Sequence, residues 1–130
     1  MKLGYVIVYT NDVLQTVAFY EQAFGLMRRF VHDSNQYAEM ETGDTTLAFV
    51  GDELAATTVP VQYRKNLVGE MPAGIEVVLV SPEIEAAYAR AVGSGATPVK
   101  EPITKPWGQK VGYVLDNNGV LVELATPLSR

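Results

Sequence analysis

The sequence predicts an α+β fold built from two consecutive βαβββ modules, over residues 1–50 and 75–130, within one domain spanning 1–130. Three observations predict it. Residues 1–50 read as strand, helix, strand, strand, strand. Residues 75–130 repeat that order, and four positions recur at matching points of the two halves.

In the first half, Lys2 to Thr10 is rich in Val, Ile and Tyr and reads as a buried strand. Asp12 then offers an N-cap, with Gln15 three residues later completing a capping-box pattern. Val13, Val17, Tyr20 and Phe24 follow at helical spacing, and Gly25 is placed to stop the helix. Strands are expected at Met27–His32, Gln36–Glu41 and Thr45–Val50, joined by DSNQ and TGDT, which are suitable turn sequences.

In the second half, Ile75–Val80 is a Val-rich strand. Ser81 is a good N-cap, Pro82 fits the first helical position, and Glu83 and Glu85 favour the first turn. Ile84, Tyr88, Ala91 and Val92 make the apolar stripe, and Gly93 and Gly95 end the helix. Strands are expected at Thr97–Lys100, Lys110–Leu115 and Val120–Ala125. The connecting segment 51–74 is too long for a tight turn and suggests only a helical turn near Glu53–Thr57.

The duplication can be checked by counting. Asp12 lies seven residues after Tyr5, and Glu83 seven after Glu76. Counting from Gly43 and Gly119, the fifth residues are Leu47 and Glu123. Tyr5, Leu47, Glu76 and Glu123 are therefore the expected equivalent positions, and they share a cavity if each sheet curls around one.

Composition excludes several classes. The chain has 130 residues, and 48% are hydrophobic, enough for a packed interior. It has no cysteine, so disulfides, thiolate metal sites and cysteine nucleophiles are out. A net charge of −5 with scattered basic residues speaks against nucleic acid, and Arg28-Arg29 and Arg64-Lys65 read as solvated surface. No apolar run reaches the roughly 18–20 residues of a membrane span, and the N-terminal apolar run is too short for a signal segment. A cytoplasmic location follows by default. No serine triad and no phosphate-cradling glycine loop is present.

Two stretches, YVIVYTNDVLQTVAFYEQAFGL and KPWGQKVGYVLDNNGVLVEL, resemble the vicinal oxygen chelate superfamily, which includes glyoxalase I, bleomycin-resistance proteins and extradiol dioxygenases. The resemblance implies two modules whose sheets form a half-open, barrel-like cavity, usually in a homodimer. Metal-dependent members place His, Glu or Gln at the four equivalent positions. Here Tyr5 and Leu47 replace two of them, Glu76 stands where a second His is common, and only Glu123 matches the usual ligand.

That donor set changes the expected chemistry. Two carboxylates and a phenol offer at most a weak Mg or Mn site, through Glu76 and Glu123, with several waters. The sole histidine, His32, lies outside the four positions and reads as structural. No cofactor is therefore expected, with a divalent ion the minor alternative. Two acids in one low-dielectric cavity repel, so at least one pKa should rise, suiting a general base or a cation- or hydroxyl-binding group. The plainer alternative is that each carboxylate caps a backbone amide, a tyrosine or Lys110. Around them, Tyr5, Leu47 and Phe49 are expected to line the cavity. Tyr37 is placed at the rim and Glu39 in solvent. Trp107 and Gln109, in the loop before Lys110, read as an aromatic wall at the mouth; for Trp107 a core plug or dimer contact is the equal alternative.

Two functions follow. One is a binder of a small organic ligand without a conventional His-rich metal site. The other is a glyoxalase-like lyase or isomerase of a small oxygenated metabolite, with Glu123 and Glu76 handling protons or weakly holding a metal. Whether the chain is an enzyme stays open at this point, and metal-dependent glyoxalase I activity is disfavoured.

Overall fold

A computed structural model describes residues 1–128 of the chain. It divides into two compact units, Met1–Asn66 and Leu67 onward. In the first unit, β1 (Tyr5–Thr10) leads to α1 (Val13–Phe24), then β2 (Met27–Val31), β3 (Tyr37–Glu41), β4 (Thr46–Gly51) and α2 (Asp52–Thr58). In the second, β5 (Val77–Val80) leads to α3 (Ile84–Gly93), β6 (Thr97–Thr104), β7 (Lys110–Leu115) and β8 (Leu121–Ala125). The two sheets have the same order, β1-β4-β3-β2 and β5-β8-β7-β6. In each, the first strand runs parallel to the last and the remaining pairs are antiparallel.

Local chemistry explains the helix ends. Asp12 is the N-cap of α1, and its Oδ1 accepts from the Gln15 amide at 3.0 Å. Gly25 closes that helix at φ 68°, a left-handed conformation that costs glycine nothing. The helix α3 begins later than the sequence suggests. Its N-cap is Glu83, which makes no side-chain cap bond, while Ser81 Oγ accepts from the Glu83 amide at 3.1 Å. The serine thus stabilises the approach to the helix, and Pro82 stands ahead of it. The segment between the modules holds more helix than one turn, since α2 runs over seven residues.

Each sheet has one face against its helix. In the first unit, Val13, Val17 and Tyr20 of α1 are buried, as are Val8, Ala38, Met40, Leu47 and Phe49 on the strands. Tyr20 and Phe49 meet with ring centroids 4.9 Å apart. In the second unit, Ile84 and Ala91 of α3 are buried together with Val114, Val122 and Leu124. Burying each large apolar side chain contributes roughly 1.5–3 kcal/mol, so these faces hold most of the stability.

Strand alternation decides what faces the other way. On β4, Leu47 and Phe49 point to the helix side, so Thr46, Ala48 and Val50 point to the open side. On β8, Val122 and Leu124 take the helix side, which leaves Leu121, Glu123 and Ala125 on the open side.

Candidate functional site

The ladder register corrects the expected set of equivalent positions. Tyr9 and Val80 each stand three residues before an N-cap, Asp12 and Glu83. They pair with Val50 and Ala125 respectively. Two residues back along β4 and β8 lie Ala48 and Glu123, so the counterpart of Glu123 is Ala48 and not Leu47. The cause is turn length: Gly43 stands three residues ahead of Thr46, whereas Gly119 stands two ahead of Leu121. A one-residue slip moves a side chain to the opposite face of the sheet. Leu47 and Phe49, expected as cavity wall, are therefore core residues packed toward α1, with Phe49 fully buried.

The open face of the second sheet carries the acids. Tyr113 on β7 is opposite Glu123 on β8, and its hydroxyl donates to Glu123 Oε1 at 3.0 Å. The Glu76 carboxyl, one residue before β5, lies near enough to that of Glu123 for the two to interact. Partial loss of solvent first, then the neighbouring Glu123 carboxyl with its like charge, push the Glu76 carboxyl above its usual range. The Tyr113 hydroxyl is raised as well, by burial and by the Glu123 carboxylate it donates to, so it stays protonated at neutral pH. Val78 and Val80 are exposed and supply apolar surface on the same face. The result is a pair of neighbouring carboxyls, one tyrosine donor and a hydrocarbon floor. It can donate to or accept from a ligand oxygen, or pair with a cation.

Glu76 binds its proton more tightly in the folded chain, so its contribution is fully present below the unfolded carboxyl pKa. It is lost as pH rises from about 4.5 through the raised folded value. Glu76→Gln should remove that decline and make the variant more stable than wild type at pH 7. The gain is at most about 1 kcal/mol, because Glu76 is solvent-exposed and screened. Thermal melts from pH 4 to 8 check it. Glu41 and Glu85 act in the opposite sense: Arg29 and Lys110 lower their carboxyls, and that stability is lost as pH falls below the ordinary range.

The open face of the first sheet holds a different network. The Glu39 carboxylate accepts from the Tyr37 hydroxyl at 2.6 Å and from Arg29 Nη1 at 3.0 Å. Arg29 also donates to Glu41 and to Thr46 Oγ1, each at 3.0 Å. A bulge in β2 makes this geometry: Arg28 pairs with Met40 and Phe30 with Glu39, so Arg29 is the extra residue and its side chain reaches over Glu39. Phe30 and Tyr37 meet nearby in a tilted arrangement, with centroids 5.9 Å apart. One expectation is corrected: Glu39 is buried at 9% exposure rather than solvated. Arg29 lies at the surface, as expected, and makes three contacts there. The Tyr37 hydroxyl, desolvated and bonded to Glu39, is pushed up to about 12.

The remaining residues place as follows. Tyr5 is 58% exposed on β1, on the open side, close enough to Tyr37 for their phenols to interact electrostatically. Trp107 is 63% exposed, and its Nε1 donates to Gln109 Oε1 at 2.9 Å. Gln109 in turn donates to the Thr126 carbonyl at 2.8 Å, which fixes the Lys105–Gln109 loop to the end of β8. A core plug is thus not the role of Trp107. His32 sits in the β2–β3 turn, where its Nδ1 accepts from the Ser34 amide at 3.0 Å. Sequence reasoning missed Tyr113, Glu39 and Arg29. The only signal for Tyr113 was its place on the strand expected before that of Glu123.

The corrected four positions are Tyr5, Ala48, Glu76 and Glu123. Alanine supplies no donor, which leaves two carboxylates and a phenol and no imidazole. Among the described residues no group of three His, Cys, Asp or Glu side chains is arranged to hold a metal ion. This donor chemistry does not fit a His-rich divalent site.

Residues 2–124 match the family model described as the Glyoxalase/Bleomycin resistance protein/Dioxygenase superfamily. The chain belongs to that superfamily. Its fold agrees: two four-stranded mixed sheets with helices, as two βαβββ modules. Among solved structures, a glyoxalase-related enzyme from Fulvimarina pelagi is similar with a TM-score of 0.84 at 18% identity, covering 98% of this chain and 88% of that one. A glyoxalase/bleomycin resistance protein/dioxygenase from Nocardioides is similar with a TM-score of 0.71 at 25% identity, over 99% and 85%. The uncharacterized protein YraH of Bacillus subtilis (strain 168) is 24% identical over 125 residues, which is 95% of this chain and 97% of that protein. Among the described residues of this superfamily member, no helix is long and apolar enough to cross a membrane.

Proposed function

We propose that this superfamily member binds a small organic ligand against the open face of its second sheet, without a conventional His-rich metal site. The observation that carries this is the Glu76–Glu123–Tyr113 cluster. Three polar groups converge on one face beside exposed Val78 and Val80, and two of them have raised affinity for protons. Such a cluster suits a ligand with a hydroxyl or cationic group on an apolar body. The open face of the first sheet carries its own polar groups, Tyr5 and Tyr37 with the Arg29–Glu39 network, and Trp107 with Gln109 offers an exposed aromatic surface at the loop. No cofactor is required by this reading, and metal-dependent glyoxalase I activity stays disfavoured on donor chemistry.

The raised Glu76 carboxyl also favours a second reading. A carboxyl raised above its ordinary range holds a proton more readily and so is better suited to proton transfer. In this reading the protein is a glyoxalase-like lyase or isomerase acting on a small oxygenated metabolite, with Glu123 and Glu76 as acid and base. The sheet edges β1, β2, β5 and β6 support a homodimer, since paired edges are protected from aggregation. A cytoplasmic location accords with a cysteine-free chain.

The test is a thermal-shift screen of purified protein against small hydroxylated, dicarbonyl and aromatic cationic compounds, run with metal analysis of the same sample. The reading expects at least one compound to stabilise the metal-free protein. A stoichiometric, tightly held metal, with stabilisation only in its presence, contradicts it. Turnover of a stabilising compound would move the assignment to the second reading.

A further inference from the structure

For the ligand of the Glu76–Glu123–Tyr113 cluster we propose a class, a short ω-amino acid, which rests on the reading of that cluster as a ligand site. The ligand's ammonium sits at the two carboxyls, and its carboxylate is held by Lys100. All of these groups belong to the second unit. The ladder register sets them in one row across the sheet: Val78 pairs with Glu123, Glu123 with Tyr113, and Tyr113 with Lys100. Residues directly opposite across a ladder project from the same face, so Lys100 shares the open face with the acids.

The two ends of that row carry opposite charge and do not satisfy each other. Glu123 accepts from the Tyr113 hydroxyl at 3.0 Å, and Glu76 stands beside it as a second carboxyl. Lys100 is exposed, and among the described residues its ammonium enters no ion pair. Strand β7 separates Lys100 from Glu123, which puts roughly 10 Å between the two backbones at the usual strand spacing. A ligand carrying both charges meets each end with a charge-assisted contact. A plain amine leaves Lys100 unmatched, and a plain carboxylate faces two acids.

The rows on either side are apolar. Leu121 pairs with Leu115 on one side, and Val80, Ala125, Val111 and Ile103 continue in register on the other. Val80 and Ile103 are exposed. A polar row between two apolar rows suits a hydrocarbon chain laid across the strands with a charge at each end. An α-amino acid is too short, because both of its charges are attached to one carbon. γ-Aminobutyrate and δ-aminovalerate separate theirs by a flexible chain. The fold does not demand a lysine at this point. The matching row of the first sheet is Ile7, Ala48, Glu39 and Phe30, with phenylalanine in the place of Lys100. Its one acid is already held by Arg29 at 3.0 Å.

The experiment is a nuclear magnetic resonance titration of the full chain with δ-aminovalerate, pentylamine and valerate. δ-Aminovalerate should shift the amides of Val78, Lys100, Tyr113 and Glu123 and bind about tenfold or more tightly than pentylamine, with valerate weakest. Lys100→Gln should bring δ-aminovalerate down to the pentylamine level and leave pentylamine unchanged, whereas Glu123→Gln should weaken both. Pentylamine binding as tightly as δ-aminovalerate, or unchanged δ-aminovalerate affinity in Lys100→Gln, overturns the ω-amino acid class. Lys100 is then an edge-strand lysine that only guards β6 against pairing, and the acid cluster still stands as a ligand site. No shift with any of the three probes overturns the class too. The stabilising compound from the thermal-shift screen, titrated in the same way, then judges the cluster separately: shifts away from Glu123 and Tyr113 end that reading as well. Should Lys100→Gln fail to fold, the comparison of δ-aminovalerate with pentylamine on the wild type decides alone.

Discussion

Phe49→Ala is expected to destabilise the protein by about 3–5 kcal/mol, the usual cost of emptying a buried aromatic site. Phe49 is fully buried on the helix side of β4, and its ring meets that of Tyr20, itself fully buried, at 4.9 Å. A loss of this size is a large fraction of the stability of a small domain. Denaturant titration by circular dichroism checks it. A cavity-lining phenylalanine would behave differently: its truncation would leave stability nearly unchanged and alter ligand affinity instead.

Asp116→Ala is the second large effect, at about 2–4 kcal/mol for two charge-assisted bonds lost in a buried turn. Asp116 is 2% exposed, and its Oδ1 accepts from the Asn118 amide at 2.7 Å and the Val120 amide at 2.9 Å. Gly119 completes the turn at φ 78°, with the Leu67 carbonyl oxygen 2.6 Å from where a Cβ would stand. This turn sets where β8 begins and hence which of its side chains face outward. Asp116→Asn retains an acceptor and should lose clearly less. If the turn also holds the register, Asp116→Ala should disturb the Tyr113–Glu123 hydrogen bond, visible as a lowered Tyr113 pKa in an ultraviolet titration.

Much of the fold was legible because its signals are local. Asp12 and Gly25 mark the ends of α1 by cap chemistry that needs no tertiary knowledge. The repeated strand order was equally readable, since alternation and turn residues recur in both halves. The faces were less so. Counting from Gly43 and Gly119 assumed equal turns, and one extra residue before Thr46 put Leu47 and Phe49 on the wrong side. The start of α3 was misplaced because Ser81 and Pro82 carry strong helix-start signals, yet the chain enters the helix only at Ile84. The Arg29–Glu39 pair was hidden for another reason. A β-bulge re-aims Arg29, and nothing in the sequence around Arg28-Arg29 announces a bulge. The Glu76–Glu123 pairing was suggested by the repeat, whereas the tyrosine that joins it depends on the antiparallel register of β7 against β8.

The central claim is that Glu123 on the open face of the second sheet anchors a ligand. Its most direct test is isothermal titration of the most stabilising compound from the screen into wild type and Glu123→Gln, with melts of both proteins. The account predicts at least about a tenfold loss of affinity in the variant with the fold retained, as expected when a charge-assisted contact is removed. Unchanged affinity per folded molecule, or a variant whose only defect is lost stability, would contradict it.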